Sequence, residues 1–328
     1  KIHKSINPFI LLSLYDDPKL QKICSENYIN QKLKNIILKT KKTKNFNKKP
    51  KIAYFSSDFK NHPILHLSLD VFKNHNKSKF DTYAFSLSKN KEDDWNYEIK
   101  NYFNTFFDVF DKSDEEIIEL CKKIEIDIAV DLNGFTEKGR QGIFLNRTAP
   151  IQINFLGYPG TMGSDLYDYI IADETVIPKN QKKNYSEKII YHPNCYQPNI
   201  NKRKISKKEF KKVDFEIPED SFIFCNFNSS YKITPEVFNI WIEILKEVKE
   251  SILWIYSNNE NVEINLKKEA EKRNFDSKRI IFAKKLQVED HLKRIQLADI
   301  FLDTYPYSAH TTASDAIRVG LPIITIKG

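Results

Sequence analysis

Apolar residues along this chain fall in short runs separated by amphipathic stretches, and the alternation sets in abruptly at position 51. Residues 51–57, Lys-Ile-Ala-Tyr-Phe-Ser-Ser, read as a buried strand, and residues 64–72 as the helix that follows it. Further strand-like runs stand at 80–87, 106–110, 126–132, 151–156, 169–172 and 188–191, with helical periodicity between several of them, most clearly at 113–123. A Lys-rich stretch at 199–214 interrupts this rhythm. Strands at 222–226, 252–256, 279–283, 300–303 and 322–326 then alternate with helices at about 235–248, 262–273, 289–298 and 312–319. Strand and helix alternating in this way imply parallel pairing with helical crossovers, so the pattern predicts two doubly wound α/β sheets in succession. Ligands of such sheets bind beyond the carboxyl ends of the strands, which directs attention to the residues just after each strand.

Ahead of the first strand, residues 8–30 suit short helices, with Asp16 or Asp17 before Pro18 supplying a start signal. The expected organisation is therefore a helical appendage over 1–50, a first nucleotide-fold half over 51–198, a Lys-rich linker over 199–216 and a second half over 217–328. The missing initiator Met and an end at Gly328, just after an apolar strand, lead us to expect a fragment whose second half is C-terminally incomplete. No short internal repeat is visible.

At 328 residues the chain can bury two ordinary cores, and an aromatic content of 13% excludes a disordered reading despite the many Lys and Asn residues. Lys and Arg number 52 against 44 Asp and Glu, a formal charge of +8, which raises nucleic acid as a partner. The distribution argues against it. Much of the excess lies at 32–51 and 202–212, where Lys alternates with Asn, Thr and Ser rather than with base-stacking aromatics, as in solvated linkers. Cys24, Cys121, Cys195 and Cys225 are far apart with no metal or redox spacing, which fits reduced thiols in a cytoplasmic protein. Residues 1–15 imitate a secretion signal but lack a small-residue cleavage site, and no stretch is long and apolar enough to span a bilayer.

Several clusters at the expected strand ends carry chemistry. In Ser57-Asp58-Phe59-Lys60-Asn61-His62-Pro63, His62 can contact a phosphate or sugar hydroxyl or take a proton, with Asp58 to orient it; both residues also suit the capping of the next helix. Leu156-Gly157-Tyr158-Pro159-Gly160-Thr161 offers either close backbone approach to a ligand or an ordinary tight turn. Lys232, after Asn226-Phe227-Asn228-Ser229-Ser230-Tyr231, is placed to neutralise a diphosphate, or is one more surface lysine. His310-Thr311-Thr312-Ala313-Ser314-Asp315 opens a helix and makes an anion site, although Thr312 and Asp315 also satisfy a Thr-x-x-Asp capping box. His291, within a helix, can stack on a base or simply be solvated. No Asp-x-Asp motif, Gly-x-Gly-x-x-Gly fingerprint or P-loop is present, which speaks against metal-dependent transfer, hydride transfer and NTP hydrolysis.

In their order along 51–328 these clusters, together with Ala149-Pro150-Ile151-Gln152, Tyr185-Ser186-Glu187-Lys188 and Leu297-Ala298-Asp299, resemble glycosyltransferase family 41, the O-linked N-acetylglucosamine transferases and their bacterial relatives. The resemblance implies a GT-B fold, two Rossmann-like halves facing a cleft, with the donor held chiefly by the second. It implies an inverting, metal-independent transfer of N-acetylglucosamine from UDP-GlcNAc to Ser or Thr hydroxyls of proteins, with the UDP-sugar as co-substrate and no other cofactor. Lys232 then stabilises the leaving diphosphate, His310, Thr311 and Thr312 hold its oxygens, Asp315 contacts the ribose and His291 packs on uracil. His62 and Gly157 line the donor sugar and phosphates, and Pro159, Ser229 and Leu286 complete the donor site. The proton acceptor is Asp58, His62 or the donor's own phosphate. Ser229 stands where a Gln is common, Val288 where animal members have Lys, and Ile64 where a hydroxyl-bearing residue is usual. The short linker resembles bacterial members, and tetratricopeptide repeats are the expected upstream neighbour. The rival functions are a UDP-glucose-dependent transferase acting on Asn or a small molecule, and a non-catalytic UDP-binding scaffold; nucleic-acid and membrane partners are not expected.

Overall fold

The computed structural model describes residues 6–33, 48–89, 93–201 and 203–326. The chain divides into two compact units, Lys1–Leu12 with Asp17–Asn201 and Ser13–Asp16 with Lys202–Gly328. Most of the early Lys-rich segment, residues 34–47, lies outside the described residues.

The first unit is built on a wholly parallel sheet of β1 (Lys51–Ser56), β2 (Asp81–Ser86), β3 (Thr105–Asp108), β4 (Ile128–Asp131), β5 (Ile151–Asn154), β6 (Tyr169–Ala172) and β7 (Lys188–Tyr191). Their spatial order is β3-β2-β1-β4-β5-β6-β7. The chain runs outward from β1 to β3 and then returns to β4, so the winding reverses between β1 and β4. Both faces are covered, as the two-residue period of a strand requires: Ala53 and Phe55 enter one core with Phe85 and Phe144, while Tyr54 enters the other with Phe72 and Phe103. The helices are α1 (Pro8–Leu11), α2 (Pro18–Leu33), α3 (Pro63–Lys73), α4 (Asp94–Lys100), α5 (Asp114–Ile124) and α6 (Gln141–Leu145). Asp17 starts α2 by accepting from Lys19 N at 2.9 Å and Leu20 N at 3.0 Å. Ser113 and Glu116 form a reciprocal capping box on α5, which stops at Glu125 in a left-handed conformation, φ 62°. Along α2, Ile29 joins the core, and Gln21 and Ser25 both hydrogen-bond the Tyr158 hydroxyl.

The second unit repeats the plan with β8 (Phe222–Asn226), β9 (Ser251–Tyr256), β10 (Ile280–Ala283), β11 (Ile300–Leu302) and β12 (Ile323–Ile324), all parallel, in the order β10-β9-β8-β11-β12. Its helices are α7 (Pro235–Glu247), α8 (Glu260–Lys272), α9 (Val288–Ile295) and α10 (Thr311–Arg318). Pro235 at the first helical position and Thr234 as the cap, accepting from Val237 N at 3.3 Å, fix the start of α7. Here the winding reverses between β8 and β11. Each strand run read from the sequence has its counterpart, with β12 shorter than the 322–326 expected and α9 ending at Ile295 rather than 298. The periodicity did not single out α4 and α6, which are short.

The linker differs from a solvated tether. Its lysines Lys204, Lys207, Lys208 and Lys211 are exposed, but Ser206 N donates to Glu289 O at 3.1 Å, Lys208 pairs with Asp290 at 2.6 Å, and Phe215 packs on Trp254 with ring centroids 5.1 Å apart. The segment is held to α9 by Ser206, Lys208 and Glu209, which pairs with Lys293 at 3.6 Å, and to β9 by Phe215.

Candidate functional site

The reversal point of the second sheet carries a dense polar cluster, assembled from the loops after β8 and β11 and the start of α10. Asn228, 2% exposed, is its hub. Its amide nitrogen Nδ2 donates to Thr304 Oγ1 at 2.9 Å and Asp303 Oδ1 at 3.3 Å, and its Oδ1 accepts from the Thr312 hydroxyl. Asp303 Oδ1 also accepts from Ala309 N at 2.8 Å and Thr304 N at 2.7 Å, which folds residues 303–309 into a closed loop. The sequence reading singled out neither Asp303 nor Thr304, although both follow β11 directly and the strand-end rule points to them.

Lys232 lies under this loop. Its Nζ donates to Ser308 O at 2.9 Å and stands 3.7 Å from the centre of the Tyr307 ring, and the residue is 8% exposed. It is no surface lysine. Burial lowers its pKa from 10.5 to about 8, against the opposing pull of the Asp303 carboxylate. Beside it, burial and then the Lys232 charge bring His310 down to about 4, so its ring is neutral at physiological pH. The rings of Tyr307 and His310 meet edge to face at 5.4 Å. His310 occupies the N-cap position of α10, yet its side chain makes no capping bond. The first amides of α10 are without intrahelical partners by construction, and the residue at its N-cap, His310, lies near enough to Lys232 to feel its charge.

The Thr312–Asp315 capping box expected from spacing is not formed. The helix begins at Thr311 with His310 as its N-cap, two positions too early for Thr312 to cap it, and both side chains are engaged elsewhere, Thr312 with Asn228 and Asp315 with Arg203 of the linker. His291 is likewise not the solvated helical histidine of the bland alternative. Its ring meets Phe227 edge-on at 5.1 Å and its Nδ1 accepts from Arg294 Nε at 3.0 Å, with burial and then Arg294 and Arg203 lowering its pKa to about 3. Arg294 is itself buried against Phe227 and Trp254. Ser229 is exposed before the single turn Ser230–Lys232, and Leu286 is half-buried in the loop between β10 and α9. Thr311 is half-buried at the first position of α10.

In the first unit the corresponding reversal point holds Asp58 and His62. Asn133, after β4, ties it together: Oδ1 accepts from Ser57 N at 2.8 Å, and Nδ2 donates to Ser57 Oγ at 2.8 Å and Asp58 Oδ2 at 3.0 Å. His62 caps α3, Nδ1 accepting from Ile64 N at 3.3 Å, and stands 3.9 Å from Asp58 Oδ1. A neutral ring whose Nδ1 accepts carries its proton on Nε2. Burial lowers the His62 pKa, with Asp58 opposing and Lys60 and Lys138 adding to the fall. Pro159 is half-buried in the turn after β5.

Glycine at 157 has an internal reason. A Cβ there would lie 2.0 Å from Leu132 O and 3.1 Å from the Asn133 Cα, both backbone atoms that cannot swing aside. Gly157→Ala is expected to cost about 1–3 kcal/mol by overpacking, read as a fall in thermal midpoint; an unchanged midpoint would contradict this packing account. The neighbouring loop is fastened by Glu187, which accepts from Thr161 Oγ1 at 2.7 Å and Met162 N at 2.6 Å.

These geometries coincide with a clear kinship. The profile of the family described as glycosyl transferase family 41 matches residues 19–200 and 205–328. The chain belongs to glycosyl transferase family 41. A relative from Arabidopsis thaliana named "Probable UDP-N-acetylglucosamine--peptide N-acetylglucosaminyltransferase SEC" is 36% identical over 284 residues, covering 85% of this chain and 29% of the relative. A UDP-N-acetylglucosamine--peptide N-acetylglucosaminyltransferase of Caenorhabditis elegans is 25% identical over 388 residues, covering 84% of this chain and 34% of that protein. The chain thus spans about a third of the length of these curated family 41 relatives. Among solved structures, a mutant O-GlcNAc transferase from Thermobaculum terrenum superposes with a TM-score of 0.86 at 23% identity, covering 98% of this chain and 61% of that one. Family 41 membership and this likeness fix the fold as GT-B, built from two Rossmann-like parallel-sheet units.

Proposed function

We propose that this protein transfers N-acetylglucosamine from UDP-GlcNAc to Ser or Thr hydroxyls of proteins, with inversion at the anomeric carbon and without a metal. Membership of family 41 supports the reaction class, and the names of the relatives support the donor and the peptide acceptor. The observation that carries the reading is Lys232, a buried ammonium held beside His310 at the open start of α10. An ammonium and a ring of helix amides supply the positive potential that a departing diphosphate needs, the task a divalent ion performs in other transferases.

In this reading the acceptor oxygen bonds to the anomeric carbon as the bond from that carbon to the diphosphate oxygen breaks. UDP leaves with the electron pair, and the hydroxyl proton passes to a base. Because Nδ1 of His62 is taken by the cap of α3, the neutral ring offers Nε2–H, so we assign His62 to donate a hydrogen bond to the donor. That leaves Asp58 or the donor's phosphate as proton acceptor. Lys232, His310, Thr311 and Thr312 bind the diphosphate, Asp315 the ribose and His291 the base, with Gly157, Pro159, Ser229 and Leu286 along the donor.

A pH dependence follows. Lys232 must be protonated to act, and its pKa in the free protein is about 8. The value of kcat/KM for the sugar nucleotide is therefore expected to hold below pH 8 and to fall about tenfold per unit above it, while Lys232→Arg, charged throughout, loses that limb. A profile flat to pH 10 would remove Lys232 from the role. Incubation with competing UDP-sugars, read by product mass, tests the sugar: N-acetylhexosamine addition to a peptide is expected, and hexose addition alone would overturn the donor assignment.

A further inference from the structure

Arg203 lies in the linker, beyond the segment that the strand-end rule recommends, yet its guanidinium is as buried as a core side chain. Arg203 Nη1 is bonded to Asp315 Oδ1, and the two side chains are 4% and 8% exposed. The pair engages one carboxylate oxygen; Oδ2 of Asp315 takes no hydrogen bond among the described residues. Nε of Arg203 is buried without a hydrogen-bond partner among the described residues.

Stability gives a poor account of this arrangement. Desolvating two charges generally offsets what their attraction returns, so an apolar pair of similar volume would serve the fold as well or better. The unfilled Nε–H weakens the case further. What the pair does accomplish is to keep a buried carboxylate charged and aimed. Asp315 is raised by burial, and Arg203 is the first of the groups that oppose this, followed by Arg318. Asp315 also lies three residues after Thr312, hence on the same face of α10 as the hydroxyl that joins the Asn228 hub. The field of Arg203 reaches His291 on α9 as well, so the guanidinium sits close to both helices that would hold the nucleoside.

We infer that Arg203 is a positioning residue for nucleoside recognition: it fixes the Asp315 carboxylate so that its open oxygen accepts from the ribose hydroxyls of the bound nucleotide. The linker then acts as a strap, fastened to α9 through Ser206 and Lys208, that completes the sugar-nucleotide site from outside the second sheet. This inference rests on the UDP reading above, and the test separates the two.

Affinities of UDP and of 2′,3′-dideoxy-UDP are measured by titration calorimetry on the whole protein and on Arg203→Met, Arg203→Lys and Asp315→Asn. The unaltered protein is expected to prefer UDP by about tenfold or more, the scale of a hydrogen bond to a charged group. Arg203→Met narrows that preference to within about threefold while the dideoxy compound keeps nearly its original affinity, and Arg203→Lys restores part of it. Should Arg203→Met fail to fold, the isosteric Asp315→Asn is expected to narrow the preference in the same way. A merely structural Arg203 would weaken both nucleotides equally, and that result overturns the inference, as does an unchanged preference in either variant. Equal binding of the two compounds by the unaltered protein removes the ribose contact while leaving the UDP reading intact; binding of neither removes both.

Discussion

Replacing Lys232 with alanine is expected to lower kcat for sugar transfer by about 10²–10³-fold, the usual loss when one preorganised partner of a developing charge is deleted, with the fold retained. The expectation follows from how the lysine is held. Its ammonium has the Ser308 carbonyl and the Tyr307 ring as company, and the carboxylate of Asp303 near enough to raise its pKa. Such surroundings solvate the charge only partly, and a diphosphate would complete them. The stability side carries the opposite sign. A lysine whose folded pKa, about 8, lies below its unfolded value of 10.5 holds more protons unfolded than folded between those two values. Stability therefore rises with pH across that window, and the penalty for the buried charge is fully present below pH 8. Lys232→Met is accordingly expected to raise the thermal midpoint at pH 7, with a stabilisation on the order of 1–3 kcal/mol after the lost ring and carbonyl contacts are discounted. Loss of activity together with a lower midpoint would mark Lys232 as structural.

The largest loss of stability is expected from Arg147→Met, on the order of 3–5 kcal/mol, because it strands a buried carboxylate. Arg147 grips Asp168 with both terminal nitrogens, at 2.6 and 3.0 Å, and the side chains are 8% and 4% exposed. Arg147 Nη1 also donates to Leu166 O at 3.0 Å, and Asp168 Oδ2 accepts from Gln152 N at 2.9 Å. The pair thus ties the loop before β5 to the start of β6. Chemical denaturation followed by circular dichroism measures the change, and a shift below about 1 kcal/mol, the value of an exposed pair, would contradict this placement.

That ion pair explains part of what could and could not be read in advance. The segment Ala149-Pro150-Ile151-Gln152 is one of those that carry the family resemblance, and its reason is structural. Gln152 satisfies its whole amide, accepting from Thr148 N and donating to Phe144 O and Leu166 O. Glu187 does the same for the loop at 161–163. By contrast, Lys232 and His310 have no such internal explanation that exhausts them. A motif in a sequence looks alike in both cases, since spacing reports that residues are needed and not whether a neighbour or a ligand needs them.

The sheets were legible because both faces of a parallel sheet are buried, which writes each strand as a short apolar run bounded by helical periodicity. The polar clusters that make the candidate sites were legible in outline because doubly wound sheets gather loops where their winding reverses. Their wiring was not. Asn133 and Asn228 join their loops through partners some 75 positions away in sequence, Asn133 with Asp58 and Asn228 with Asp303. Arg203 was hidden for the same reason, inside a segment whose exposed lysines dominate its composition. Spacing also misled at Thr312 and Asp315, where a local capping box lost to two long-range partners.

The central claim is that the buried ammonium of Lys232 and the opening turn of α10 grip a uridine diphosphate. Titration calorimetry of UDP into the complete protein at pH 7, beside Lys232→Ala, tests it without requiring an acceptor. Saturable heat from the unaltered protein and at least about tenfold weaker binding by the variant are expected, the scale of one lost charge-assisted bond. Absence of heat from folded, unaltered protein, or equal binding by the two, would contradict the claim.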